Sequence, residues 1–141
     1  CSRNNLLPTV DRNYIMNELF NKIISWANDR NIIKGSTAKK QFPKLLEEVI
    51  ELYSTLHPEQ KRNHIEANLI LLIIELGSKG KIKQAPKGKV ITDDVGDCMV
   101  VLSIMAEQEK LTVTECLEHA YNDIKDRKGM MIDGVFVKEG G

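Results

Sequence analysis

A chain of 141 residues is long enough for one domain with a core of its own. Its 42% hydrophobic and 28% charged content places it with globular rather than disordered chains. Lysine plus arginine and aspartate plus glutamate both number 20, and this zero net charge argues against a general nucleic-acid coat.

Residues 1–10 read as a loose arm. A first helix is expected over about residues 12–28, capped by Asp11, because Ile15, Leu19, Ile23 and Trp26 recur at helical spacing. Asp29 to Thr37 reads as a turn-rich connection around Gly35. A second helix carries Leu45, Leu46, Val49, Ile50 and Leu52, with Pro43 placed in its first turn, where a missing N–H costs nothing. Pro58 opens a third segment with the core Ile65 to Leu76. Its β-branched residues would suit a buried strand, but its length, its Ala and Glu content and the Gly77 that follows favour a helix.

Gly77 to Thr92 reads as a loop. It holds Lys79, Lys81, Lys83, Lys87 and Lys89 and no acid before Asp93. Those lysines suit phosphates, but no aromatic residue is interleaved for stacking on bases, so nucleic acid is not the expected partner. A fourth helix is expected from Asp93 to Glu109, with Thr92 as its cap. A fifth starts at Thr112 or Thr114 and ends near Gly129. The tail Met131 to Val137 alternates around Asp133-Gly134, the signal of a two-residue hairpin. The expected architecture is therefore all-α, a four- to five-helix bundle in a single domain over 1–141, with a short β-hairpin-like tail.

Cys1, Cys98 and Cys116 form no CxxC pair. Cys98 and Cys116 lie in apolar stretches where a thiol acts as a small hydrophobe, which suits a reducing, cytoplasmic compartment. The longest apolar run, Leu69 to Ile74, is too short to span a bilayer, and no secretory signal pattern is visible. Because that run is apolar all round, both of its sides need cover, and a partner subunit is the natural one.

The chemistry-bearing residues are acids. Glu47, Glu48 and Glu51 form one cluster and Asp93, Asp94 and Asp97 another, each in a stretch that reads as an apolar helix. Residues three and four apart share a helical face, so Glu48 points with Glu51 and Asp94 with Asp97. A solvated acidic face is the ordinary account of one such cluster, and Lys44 with Glu48 makes an ordinary i,i+4 pair. Helix capping explains Asp93 and Asp94 but not Asp97. Two clusters of the same form point instead to an all-oxygen cage, the donor set that Mg²⁺ or Mn²⁺ prefers.

These residues resemble a known family, the all-α nucleoside triphosphate pyrophosphohydrolases of the MazG type, and most of all the small phage and bacterial MazG-like proteins. The resemblance rests on Glu48-Val-Ile-Glu51 preceded by Glu47, on Asp94-Val-Gly-Asp97 and on Trp26. It extends to Gln41-Phe-Pro-Lys44, Gly96 to Leu102, Ala120 to Gly129 and Asp133 to Lys138. It covers about residues 14–53 and 91–138. Three features depart from the family pattern: Asp94 stands where Glu is usual, Pro43 stands before Lys44, and 42 residues separate Glu51 from Asp94, so that 54–90 reads as an enlarged connection.

The resemblance implies Mg²⁺-dependent hydrolysis of a nucleoside triphosphate to the monophosphate and pyrophosphate. It implies Glu48, Glu51, Asp94 and Asp97 as metal ligands, and Glu47 or Glu51 as the group that activates water. Lys125, Arg127 and Lys128 lie on the helix that the family uses for phosphate contact, and Lys44 shares a helix with the acids. Trp26 suits either a base stack or a core anchor. The resemblance also implies a homodimer or homotetramer. Two alternatives stand beside this reading: phosphoribosyl-ATP pyrophosphohydrolase, and a non-catalytic helical module that binds nucleotides or a protein.

Overall fold

The computed structural model describes residues 9–140. Among them six helices are followed by one antiparallel hairpin: α1 (Thr9–Asp29), α2 (Ile32–Gly35), α3 (Ala38–Leu56), α4 (Arg62–Ser78), α5 (Thr92–Gln108), α6 (Val113–Ile124), β1 (Gly129–Ile132) and β2 (Val135–Lys138). The all-α character with a small C-terminal hairpin is as expected. The loose arm expected over 1–10 falls largely outside the described residues. The chain divides into two compact units. One comprises the residues up to Gln41 together with those from Thr92 onward, and the other is Phe42–Ile91.

In the first unit α1 packs against α2 and α6, and α6 against α5. The apolar stripe of α1 makes these contacts: Leu19 and Ala27 are buried, and Ile15, Ile23 and Trp26 are half-buried. α1 begins before Asp11, so that residue lies inside the helix rather than capping it. It stops where Asn31 takes a left-handed conformation (φ 57), which asparagine tolerates better than most residues, and its N–H bonds the Asn28 carbonyl at 3.0 Å. The short α2 occupies the expected connection.

α5 ends in a Schellman motif. The N–H of Leu111 bonds the Ala106 carbonyl (2.9 Å), that of Lys110 bonds Glu107 (3.0 Å), and Lys110 itself is left-handed at φ 61. One residue on, Thr112 caps α6 in a reciprocal box. Its hydroxyl accepts from the Glu115 N–H (3.1 Å), and the Glu115 carboxylate accepts from the Thr112 N–H (2.7 Å).

The hairpin pairs Gly129 with Lys138 and Ile132 with Val135. Its two-residue loop is Asp133-Gly134, both at positive φ (51 and 79), the combination a type I′ turn requires. The tip is tied to the start of α3: the Ser36 hydroxyl and the Gln41 amide (3.2 Å) both donate to the Gly134 carbonyl. Gly129 is a close-approach glycine, since a Cβ there would strike the Val137 carbonyl and lie 2.7 Å from the Phe136 ring.

α3 starts five residues before Pro43, with the Thr37 hydroxyl accepting from the Lys40 N–H at 3.2 Å. Pro43 therefore lies inside the helix, not in its first turn as expected. The missing N–H leaves the Lys39 carbonyl without its i+4 donor.

In the second unit, α3 turns into α4 through residues 57–61. There the Gln60 side-chain carbonyl accepts from Tyr53 Oη (3.2 Å) and Asn68 Nδ2 (3.0 Å). His57 stacks on Tyr53 at 4.2 Å between ring centroids. The stretch from Ile65 to Leu76 is helical, and α4 continues through Gly77 to Ser78. The glycine that ends it is Gly80 (φ 71), not Gly77: the Gly80 N–H bonds Gly77 and the Lys81 N–H bonds Leu76. Residues 81–91 then form the expected irregular loop.

Candidate functional site

Each acidic cluster lies on a helix. Glu47, Glu48 and Glu51 occupy the middle of α3, and all three are exposed. Lys44 reaches back across one turn to both nearer acids, with Nζ 3.1 Å from Glu47 and 3.0 Å from Glu48. The hydrogen bond to Glu48 is the main reason that the ammonium pKa is raised above its ordinary 10.5; partial burial opposes it and Glu47 adds to it. Lys44 thus already engages two of the three carboxylates of this cluster, and a cation arriving there would compete with its ammonium.

On α5, Asp93 and Asp94 lie in the first turn, where the exposed N–H groups favour negative charge. Asp97 follows one turn later. All three are exposed. Thr92 is the first helical residue rather than a residue before the helix.

The donor chemistry on each helix suits a hard divalent cation: carboxylate oxygens only, paired three residues apart. Among the described residues, however, no three Asp, Glu, His or Cys side chains gather closely enough to hold a metal ion.

The basic residues are arranged differently from the expectation. α6 ends at Ile124, so Lys125, Arg127 and Lys128 stand in the turn between α6 and β1 and not on a helix. The cause lies in α1. Trp26 Nε1 donates to the Ile124 carbonyl at 2.9 Å. Arg30, one turn further along, donates from Nε to the Arg127 carbonyl (2.8 Å) and from Nη2 to the Lys125 carbonyl (3.3 Å). These donors take carbonyls at and beyond the helix end and turn the chain toward β1. Arg30 also lies over the Trp26 ring, 4.6 Å from its centroid, and Phe136 meets that ring edge-on at 5.6 Å. The indole N–H and one ring face of Trp26 are therefore engaged inside the fold.

Two shallow concavities flank this turn. One, of about 170 Å³, is lined by Lys22, Ser25, Trp26, Asp29, Arg30, Tyr121 and Lys125. The other, wider and open to solvent at about 510 Å³, lies among Asp123, Asp126, Arg127, Lys128, Lys138 and Glu139.

Arg30, Ser36 and Gln41 make long-range contacts for which the sequence carries little local sign. Arg30 lies four residues after Trp26 on a helical stretch, a spacing that brings a guanidinium over an indole and was the one available signal. The thiols also differ from expectation: Cys98 and Cys116 are exposed and unbridged rather than packed as small hydrophobes. No helix among the described residues is long and apolar enough to cross a membrane.

No family model matches the chain, and no solved structure matches it. The chain is similar to an uncharacterized 18.2 kDa protein from the rep-hol intergenic region of Haemophilus phage HP1 (strain HP1c1). The two are 34% identical over 96 residues, which make up 68% of this chain and 42% of that protein. The match thus spans less than half of the phage relative.

Proposed function

We propose that the protein hydrolyses a nucleoside triphosphate, a deoxynucleotide by preference, to the monophosphate and pyrophosphate in a Mg²⁺-dependent reaction. One observation carries the reading. Glu48 with Glu51, and Asp94 with Asp97, are two carboxylate pairs of the same one-turn spacing, each on a helix. The resemblance to the MazG type supports it and supplies the fold type proposed for the helical part.

Glu48, Glu51, Asp94 and Asp97 are the proposed carboxylate ligands of Mg²⁺, with Mn²⁺ as a substitute. A bound divalent cation would neutralise phosphate oxygens and lower the pKa of a water. Glu47 or Glu51 orients and deprotonates the attacking water. Lys125, Arg127 and Lys128 contact phosphate from the turn after α6, where the guanidinium offers a two-pronged grip and the ammonium groups act as point charges. Lys44 holds Glu47 and Glu48 until a cation replaces it.

The assembly is proposed to be a homodimer or homotetramer in the cytoplasm. Its support is the apolar surface of α4, where Leu71 is 60% and Ile74 61% exposed and Ile70, Leu72 and Ile73 are exposed beside them.

The direct test incubates purified protein with each canonical and modified dNTP plus Mg²⁺ and measures pyrophosphate. Glu51→Gln and Asp97→Asn are expected to abolish release while leaving the helical circular dichroism intact. No release from any nucleotide at several pH values would refute the reading. A second reading, a non-catalytic helical module, is motivated by Asp94 standing where the family has Glu and by the 42 residues between Glu51 and Asp94. It predicts Mn²⁺ binding that is absent, or unchanged by Glu51→Ala and Asp97→Ala.

A further inference from the structure

The Lys125–Lys128 turn carries three of the residues assigned above to phosphate, yet nothing in its own sequence fixes its shape. It lies past the end of α6 and has no glycine before Gly129; its backbone bonds are Lys125 N–H to Tyr121 (2.9 Å), Arg127 N–H to Ile124 (2.8 Å) and, from beyond the hairpin, Glu139 N–H to the Lys128 carbonyl (2.7 Å). The Lys125 and Arg127 carbonyls would otherwise be left for water.

Arg30 supplies what is missing. Its guanidinium is planar, and three of its N–H groups are spent on three carbonyls: Nε on Arg127, Nη2 on Lys125 and Nη1 on Trp26 at 3.2 Å. The same plane rests on the Trp26 ring, whose own N–H takes the neighbouring Ile124 carbonyl. The end of α1 is thereby bolted to three backbone positions at and just after the end of α6: Ile124, Lys125 and Arg127. With the backbone held by its carbonyls, the side chains of Lys125, Arg127 and Lys128 are left to project outward and line the two flanking concavities.

We propose that Arg30 is a positioning residue for polyphosphate binding: through the Lys125 and Arg127 carbonyls it holds the turn in the conformation that turns Arg127 and Lys128 to one concavity and Lys125 to the other. The assignment rests on the proposed role of this turn in phosphate contact. Only arginine meets the geometry. A lysine at this position keeps the charge but offers a single point donor, which cannot serve carbonyls on both Lys125 and Arg127 while stacking on an indole.

The experiment compares the parent chain with Arg30→Lys and Arg30→Gln, using inorganic tripolyphosphate without metal as the probe in calorimetry. Tripolyphosphate has no base or sugar and reads the cationic turn alone. Each variant is expected to raise the Kd about tenfold and to quicken hydrogen exchange of the Lys125 and Arg127 amides. Emission of Trp26, the one tryptophan in the chain, is expected to shift as its cation is lost or moved. Arg30→Lys is the decisive variant, because it preserves net charge. Parent-like affinity in Arg30→Lys with only a lowered unfolding midpoint would make Arg30 a structural cap and overturn the proposal. Absence of tripolyphosphate binding by the parent chain would overturn it too. Binding that weakens as expected in a protein that releases no pyrophosphate from any nucleotide would uphold the positioning role while refuting the hydrolase reading.

Discussion

Replacing Lys44 by methionine tests what its ammonium does between Glu47 and Glu48. The two contacts are short, at 3.1 and 3.0 Å, but they are solvated: the Lys44 side chain is 44% exposed and those of Glu47 and Glu48 are 58% and 54% exposed. Pairs of this kind on one helix contribute about 0.3 kcal/mol each, and the order lysine before glutamate is the weaker one. Their loss also leaves Glu47, Glu48 and Glu51 repelling one another uncompensated. The expected destabilisation is about 0.5–1 kcal/mol at low ionic strength. It should shrink toward zero in about 1 M salt, where the screening length is about 3 Å. The pH dependence has a definite sign. Glu48 holds the Lys44 pKa above 10.5, so the contribution is complete below that pH and fades as pH rises through the higher folded value. Parent and variant stabilities should therefore converge in strong alkali and differ most near neutrality. Urea unfolding at low and high salt, at neutral and alkaline pH, reads all of this. Under the proposed function, Lys44→Met should also tighten Mn²⁺ binding, because a competitor for Glu48 is gone. A loss above about 2 kcal/mol that survives high salt would refute the reasoning, since an exposed ion pair cannot supply it.

Gly129→Ala should cost about 2 kcal/mol and lower the unfolding midpoint by about 6 °C, because its Cβ strikes the Val137 carbonyl backbone and not a flexible side chain. An unchanged midpoint in thermal unfolding would show that the hairpin contributes nothing to the cooperative fold. Light scattering at micromolar concentration should give a mass at least twice 16.0 kDa, and Leu71→Lys combined with Ile74→Lys should reduce it toward the single chain. A parent chain that already measures 16.0 kDa would remove the proposed assembly.

Most of the elements, the short α2 apart, are legible from the residues that form them. The 3–4 spacing of Ile15, Leu19, Ile23 and Trp26 made α1 legible, because a helix must place its apolar residues on one side to bury them. Asp133-Gly134 fixed the hairpin turn, since few residue pairs accept two successive positive φ values. Thr112 and Thr114 both offered a start for α6, between which the structure chooses Thr112, and the one-turn pairing of Glu48 with Glu51 and of Asp94 with Asp97 followed from helical geometry alone. Where local signals competed, the sequence misled. Pro43 seemed to start a helix that in fact begins at Ala38, and Gly77 seemed to end one that Gly80 ends, because only the backbone dihedral shows which glycine is left-handed.

What the tertiary structure alone decided concerns partners distant in sequence. Lys125, Arg127 and Lys128 read as the end of a helix, and they leave it because Trp26 and Arg30, about a hundred residues earlier, take the carbonyls there. The hairpin tip reaches Ser36 and Gln41 across a similar separation. No periodicity or local propensity encodes such contacts. A carbonyl at a helix end accepts whichever donor the packing of α1 on α6 brings within hydrogen-bond reach, and that donor is chosen in three dimensions.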